Sequence, residues 1–364
     1  MIGKRSKNFV MWAAAPLLVT GLIAGCGTAS ANSSGSAQSG GGSKGSSGKL
    51  QVVKVATAEG SPSYAGLFLG EALGYFKQEG IKIESTKFSS GSDELTGLAS
   101  GQIDVAQGLV SAGLINLEHK NFGIQIVADA GRNYPGKPYF ALTIRKKLQN
   151  KVKTFKDLKG LTIGVVSKGN INELMLDEAL AKGGLTEKDV HIKVIDSFSD
   201  LNTAMSHGAM DAAMQLEPLI TKGKQQNILV PFPIGPKVYA PHEEVSVLEF
   251  GKNLLKNKSL ATRYMIAYLK GVRAFDNAFV YGSKNQAKIA KIMAKDTNTS
   301  VSILEAENQP ELDPNGTVYT SSIQNQINWY VKHGFVQTGL KASKIVNMSF
   351  AKAALKKIGK FQKP

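Results

Sequence analysis

The stretch Ser92–Gly108 (SDELTGLASGQIDVAQG) returns 107 residues later as Ser199–Gln215 (SDLNTAMSHGAMDAAMQ), with no gap between the copies. The same shift aligns Glu71-Ala72-Leu73 with Glu178-Ala179-Leu180, and between residues 71 and 108 ten positions match their shifted partners: Glu71, Ala72, Leu73, Ser90, Ser92, Asp93, Thr96, Gly101, Asp104 and Ala106. Chance pairing at ordinary composition would give about two. A single pair of copies is not a solenoid, whose repeats run at roughly 20–50 residues. Two similar α/β lobes satisfy the pattern.

Length and chemistry agree with two lobes and narrow the function. The 364 residues suggest about two domains, and 42% hydrophobic content supplies sizeable cores. Cys26 is the one cysteine, which excludes an intrachain disulfide and a cysteine metal cluster. The five histidines are scattered without ligand spacing, so neither metal nor cofactor is expected, and no catalytic residue. A formal charge of +16 raises nucleic acid as a partner. Aromatics make up only 7%, and the excess sits as lysine along helical segments such as Lys284–Lys295 and Lys341–Lys363. The better reading is a solvated surface facing an anionic envelope, with no nucleic-acid partner.

Lys4, Arg5 and Lys7 precede an apolar run from Phe9 to Ala24, which falls short of the roughly 20 residues of a membrane span. Residues 1–25 read as an export signal. Ile23-Ala24-Gly25-Cys26 resembles the lipobox of bacterial lipoproteins, which implies lipidation of Cys26 and attachment to the cell membrane; a plain signal with a chance cysteine is the alternative. Residues 26–49 are Gly- and Ser-rich, a flexible tether.

Leu50–Ala58 alternates as a strand, Ser61-Pro62-Ser63 is a turn that starts a helix over Tyr64–Gln78, and Ile81–Ile83 opens a second strand. Ser90-Gly91-Ser92 caps a helix around Asp93–Ala99, and Ile103–Ala106 is a short buried strand. The order βαβαβ predicts a mainly parallel sheet. The second copy repeats it: strands Leu161–Val166, Val190–Ile195 and Ala212–Gln215, helices Asn172–Lys182 and Ser199–Ser206. Phe140–Arg145 reads as a strand leaving the first lobe, Asn227–Phe232 and Val245–Phe250 as strands returning to it, and residues 251–363 as mostly helical. The expected organisation is lobe 1 at 50–142 and 245–364, and lobe 2 at 143–244. Crossings near Ala141–Arg145 and Ala240–Val247 would make a hinge.

Tyr64–Phe76 (YAGLFLGEALGYF) with Glu79-Gly80-Ile81, Leu98–Ala106, Asp157–Gly160, and Met210-Asp211-Ala212 with Glu217-Pro218 resemble the taurine-, nitrate- and sulfonate-type (SsuA/THI5-like, NMT1-like) ABC substrate-binding lipoproteins over roughly residues 50–250. The resemblance implies a two-lobed type II periplasmic binding protein fold. It also implies hinge closure on a small sulfonate, taurine, nitrate or heteroaromatic vitamin precursor, and a monomer delivering to permease and ATPase subunits. A membrane-tethered sensor of the same fold is the alternative. Pyrimidine-precursor synthases share the fold, but their cysteine-rich cluster has no counterpart here, and an export signal stands where a regulator's DNA-binding domain would be.

Ligands of doubly wound sheets sit outside the carboxyl ends of strands. There the candidate binding residues are Ser61, Ser63, Ser90, Gly91, Ser92, Gly108, Ser111, Ser167, Asn170 and Ser199, whose hydroxyls and helix-start N–H groups could hold an anion, and Tyr64, Tyr134 and Phe198, whose rings could stack on a flat ligand. Arg132, beside Asn133 and Tyr134, is placed to clamp a sulfonate or carboxylate, and Glu217 to face the cleft. Each has a plain alternative: serines as helix caps, aromatics as core, Lys168 as a solvated charge, Asp104 and Asp211 as structural hydrogen bonds. Duplication then marks scaffold, and positions that differ between the copies choose the solute.

Overall fold

The computed structural model describes residues 49–57, 60–88, 91–133 and 136–363, which belong to one compact unit. Its strands are β1 (Gln51–Thr57), β2 (Ile81–Lys87), β3 (Val105–Leu109), β4 (Gln125–Arg132), β5 (Phe140–Arg145), β6 (Thr162–Val165), β7 (His191–Val194), β8 (Ala212–Leu216), β9 (Leu229–Pro231) and β10 (Glu244–Phe250). Among the described residues they form two five-stranded sheets, ordered β2-β1-β3-β10-β4 and β7-β6-β8-β5-β9. Each is mainly parallel with one reversed strand: β10 runs antiparallel to β3 and β4, and β5 antiparallel to β8 and β9. The expected α/β architecture of two helix-flanked sheets is the one found.

The reversed strands correct the expected connections. Phe140–Arg145 does not leave the first lobe; it is the reversed strand of the second sheet, and β9, within Asn227–Phe232, is that sheet's edge. The chain changes sheets between Arg132 and Phe140 and again between Tyr239 and Glu244. Each sheet thus receives its reversed strand directly from a crossing, which is why both crossings are short.

The duplicated residues build matching joints. Asp104 accepts the amide of Lys54 on β1 at 3.0 Å, and Asp211 accepts that of Thr162 on β6 at 3.1 Å. Thr96 and Thr203 each donate a hydroxyl to the carbonyl four residues back, Ser92 and Ser199. Gly101 and Gly208 follow their helices with φ of 82° and 76°, the left-handed turn that favours glycine. A helix and a strand locked by one Asp, one Thr and one Gly occur in both lobes.

Helix Lys258–Phe279 organises the outer face of the first sheet. Its 22 residues start at Asn257, whose side chain accepts the Leu260 amide at 3.1 Å, and it buries Tyr264, Tyr268, Val272 and Phe275. It crosses helix Ala65–Ala72 backbone to backbone, because Gly66, Gly70 and Gly271 meet there. A Cβ on Gly271 would lie 2.3 Å from the Gly66 carbonyl oxygen. Gly271→Ala should therefore destabilise the protein by about 1–3 kcal/mol through overpacking, read as a lower urea midpoint. Gly235→Ala, where an added Cβ meets nothing within 4 Å, should stay within about 0.5 kcal/mol; equal midpoints for the two variants would refute the close crossing.

Candidate functional site

The carboxyl ends of β3 and β6 run into turns that bond to one another. Ala112 donates its amide to the Gly169 carbonyl at 2.7 Å, and Ile171 donates to that of Val110 at 3.2 Å. Ser111 and Asn170, paired in the bridge between them, are the N-caps of helices Ala112–His119 and Ile171–Lys182, accepting from Leu114 and Asn172. The two sheets therefore meet where the strand-end rule places a ligand site. Helix Thr320–Lys332 backs this junction: Tyr330 donates to the Val110 carbonyl at 2.9 Å and Trp329 to Asp177 at 3.0 Å.

Most of the expected anion-binding groups are already engaged within the chain. Ser61 accepts from the Ser63 amide, itself on a buried residue, and Tyr64 donates its hydroxyl to the Gln107 carbonyl at 2.7 Å and stacks on Phe68. Gly91 and Ser92 open helix Gly91–Ser100, and the Gly108 carbonyl accepts from Ser246. Ser167 accepts from Asn170, while Lys168 pairs with Glu173 and Glu187 instead of lying free in solvent. Ser197 caps helix Phe198–Ser206 and bonds the Ser199 hydroxyl at 2.8 Å. Phe198 meets Phe140 edge to face, and Asn133 clamps Phe140 through both its amide atoms. Glu217 accepts from the amide and hydroxyl of Thr221 and the amide of Asn308, so its carboxylate ties the second lobe to the C-terminal segment. Ser90, Tyr134 and Cys26 lie outside the described residues.

Arg132, expected as an anion clamp, lies buried among acids of its own chain. It is 3% exposed, forms 3.5 Å ion pairs with Asp129 and Asp313, and stacks 3.9 Å over the Tyr319 ring. Burial alone would lower its pKa, but the Asp129, Glu244 and Glu311 carboxylates outweigh burial and raise it. Asp129 and Glu244 are themselves pushed up by burial. The guanidinium is held between these acids, while its Nε and Nη1 have no hydrogen-bond partner among the described residues.

Three buried polar side chains at the junction were not singled out from the sequence. Glu94, in the first turn of its helix, accepts the Gln107 amide at 3.0 Å, and burial raises its pKa to about 7. Gln107, 3% exposed in the middle of β3, and Asn172, fully buried in the first turn of helix Ile171–Lys182, leave both atoms of their carboxamides without a hydrogen-bond partner among the described residues. A signal was present for two of them: at the repeat positions of Glu94 and Gln107 the second copy carries Leu201 and Met214, both core.

The family model described as "NMT1/THI5 like" matches residues 61–276, more than half of the chain. The chain belongs to the NMT1/THI5-like family. Among curated members, a 4-amino-5-hydroxymethyl-2-methylpyrimidine phosphate synthase of Schizosaccharomyces pombe is 27% identical over 175 residues, 46% of this chain and 45% of the synthase. This NMT1/THI5-like chain thus spans less than half the length of the curated relatives it matches. Among solved structures, the ligand-binding component of an ABC-type import system from Staphylococcus aureus superposes with a TM-score of 0.68 at 17% identity, covering 84% of this chain and 99% of that one. The periplasmic nitrate-binding protein NrtA of Synechocystis gives 0.70 at 12% identity, covering 85% and 90%. These likenesses fix the periplasmic binding protein fold.

Two outcomes follow from the buried charges. Arg132→Ala should cost about 3–5 kcal/mol of stability, since it strands buried carboxylates; an unchanged melting temperature would remove Arg132 from the scaffold. Glu94 holds its proton up to about pH 7 when folded but releases it near its ordinary value of 4.5 when unfolded. Its contribution is complete below that lower value and is lost as pH rises through about 7. Glu94→Gln should therefore gain on the parent across that interval, by at most on the order of 3 kcal/mol. A stability gap that stays constant with pH would contradict a buried, protonated Glu94.

Proposed function

We propose that this chain is the solute-binding component of an ABC importer, held outside the membrane by a lipid on Cys26 and the tether that follows. It acts as a monomer and delivers its solute to permease and ATPase subunits. One observation carries this reading: the turns after β3 and β6 approach each other across the junction of two similar sheets. Lobes joined by two short crossings can part there and close again, and a solute touching both favours the closed form. The import and nitrate-binding roles named for the structural neighbours support this reading.

The chemistry of the junction weighs against a small inorganic anion. The helix starts meant to receive one are capped by Ser61, Ser111, Asn170 and Ser197, and Arg132 is buried in ion pairs with Asp129 and Asp313. Besides Nε and Nη1 of Arg132, the Tyr139 hydroxyl and one Glu244 oxygen, two carboxamides stand unpartnered among the described residues, each able to donate and accept. Leaving such atoms buried costs about 1–3 kcal/mol each unless something pairs with them. This supports the heteroaromatic end of the family's range, a hydrogen-bonding ring contacted by Gln107 from one lobe and Asn172 from the other. The pyrimidine chemistry in the curated relatives' name points the same way. It also keeps a synthase as the second reading, separated by whether bound solute is recovered unchanged.

A thermal-shift screen of residues 49–364 against sulfonates, nitrate, bicarbonate and pyrimidine precursors of thiamine tests the proposal. A solute at about 100 times its Kd should add about 2.7 kcal/mol. Gln107→Leu should weaken that solute at least about tenfold while leaving the free protein as stable or more so, because a buried unpaired amide is removed. A response to nitrate and sulfonates alone would overturn the heteroaromatic assignment.

A further inference from the structure

Charge is divided unevenly along the folded body. Residues 49–250 hold 22 Lys and Arg against 22 Asp and Glu, a balance of zero. Residues 251–364 hold 18 against 6, and of those six acids Asp276 and Glu307 are buried and Glu311 and Asp313 partly so. The net positive charge of the body therefore belongs to its C-terminal helices.

Part of it gathers around two adjoining surface cavities of about 460 and 560 Å³. Lys270, Arg273, Lys284 and Lys288 line the first; Arg263, Lys270 and Lys357 line the second, with Glu79 as the one acid among the lining residues. Glu79 already holds Lys270 at 3.1 Å. Arg273 spends its donors on the carbonyls of Pro314 and Gly359 and on Asn315, and meets no carboxylate among the described residues. Lys284, Lys288 and Lys357 are exposed and form no ion pair within the described residues.

These cavities lie at the opposite edge of the first sheet from the solute junction. Helix Ala65–Ala72 starts beside the carboxyl end of β1 and runs back, so Leu73, Tyr75 and Gln78 lie at the strands' amino ends. The amide of Gln51, first residue of β1, bonds the Gly80 carbonyl there at 2.9 Å.

We propose that between deliveries this cationic edge docks on the phosphate headgroups of an anionic bilayer, a resting pose in which the solute junction faces away from the membrane. The breadth of the surface favours a bilayer: exposed Lys291, Lys352, Lys356 and Lys360 extend it beyond the cavities. Tyr75 is the one ring among the lining residues, so little is offered for stacking on bases. The position outside the membrane rests on the function proposed above. Attraction of this kind is screened by salt, so docking is reversible.

Flotation of residues 49–364, a self-contained unit holding both sheets and their cores, with phosphatidylglycerol-containing and pure phosphatidylcholine vesicles tests the docking. The body should float with the anionic vesicles alone and be released at about 0.5 M salt. The triple variant Lys284→Gln, Lys288→Gln, Lys357→Gln should partition at least about tenfold less. Lys151→Gln, Lys153→Gln, Lys156→Gln, which removes the same charge from exposed positions of the second lobe, should partition as the parent does. Equal losses in the two variants, no flotation with anionic vesicles, or binding of inorganic phosphate without vesicle association would each overturn the proposal. Solute thermal shifts on the same preparation report on the import reading independently.

Discussion

The guanidinium of Arg132 sits where the chain first leaves one sheet for the other, and around it converge the groups that fix both crossings. Asp129 and Arg132 end β4, Glu244 begins β10, and the segment Glu311–Tyr319 closes over them. Backbone bonds at 2.9 Å run both ways between Arg132 and Glu311; Asp129 accepts the Asp313 amide, and Glu244 accepts that of Tyr319, each at 2.6 Å. Taking these charges out of water is costly, and the arrangement persists because each acid also receives backbone donors. Both crossings thus share one fixed end in the first lobe.

That fixed end explains the form of the C-terminal region. After the two lobes are complete the chain returns to the crossings instead of forming a separate body. Asn308 bonds Glu217 and the Pro138 carbonyl, Ser322 bonds Glu243 and the Glu244 amide, and Tyr330 reaches Val110. Glu307 is held near this seam with its pKa raised to about 9 by burial and by the neighbouring Glu217. Neutral at ordinary pH, it adds no repulsion to the Glu217–Asn308 bond. The seam is polar, and Glu244, Glu307, Gln309 and Gln326 each keep one side-chain oxygen without a hydrogen-bond partner among the described residues.

The scaffold was legible because it is written twice. Asp104 with Asp211, Thr96 with Thr203 and Gly101 with Gly208 are short-range devices, each bonding within its own helix–strand unit, so a repeat in the sequence translates directly into a repeat in space. Arg132 is ambiguous in the sequence for the converse reason. Its partners Glu244 and Asp313 lie more than 100 residues on, and nothing local to Arg132-Asn133 distinguishes a clamp for solute from a clamp for the chain itself. Serine before a helix was equally ambiguous, and at Ser61, Ser111 and Ser197 the cap is what the hydroxyl does.

Where the copies diverge, the two lobes differ in kind. Glu94 and Gln107 bring a carboxyl and a carboxamide to the first lobe at positions where Leu201 and Met214 fill the core of the second. A duplicated unit needs only packing at those sites, as the second lobe demonstrates, so stability does not demand the polar pair. The same lobe carries the cationic edge at the other end of its strands. Polarity in the first lobe is thus sorted by end: buried acid and amide toward the junction, exposed lysine and arginine away from it. The first lobe has thus departed further from a plain scaffold than the second at both ends of its strands, although the second keeps a buried carboxamide of its own in Asn172.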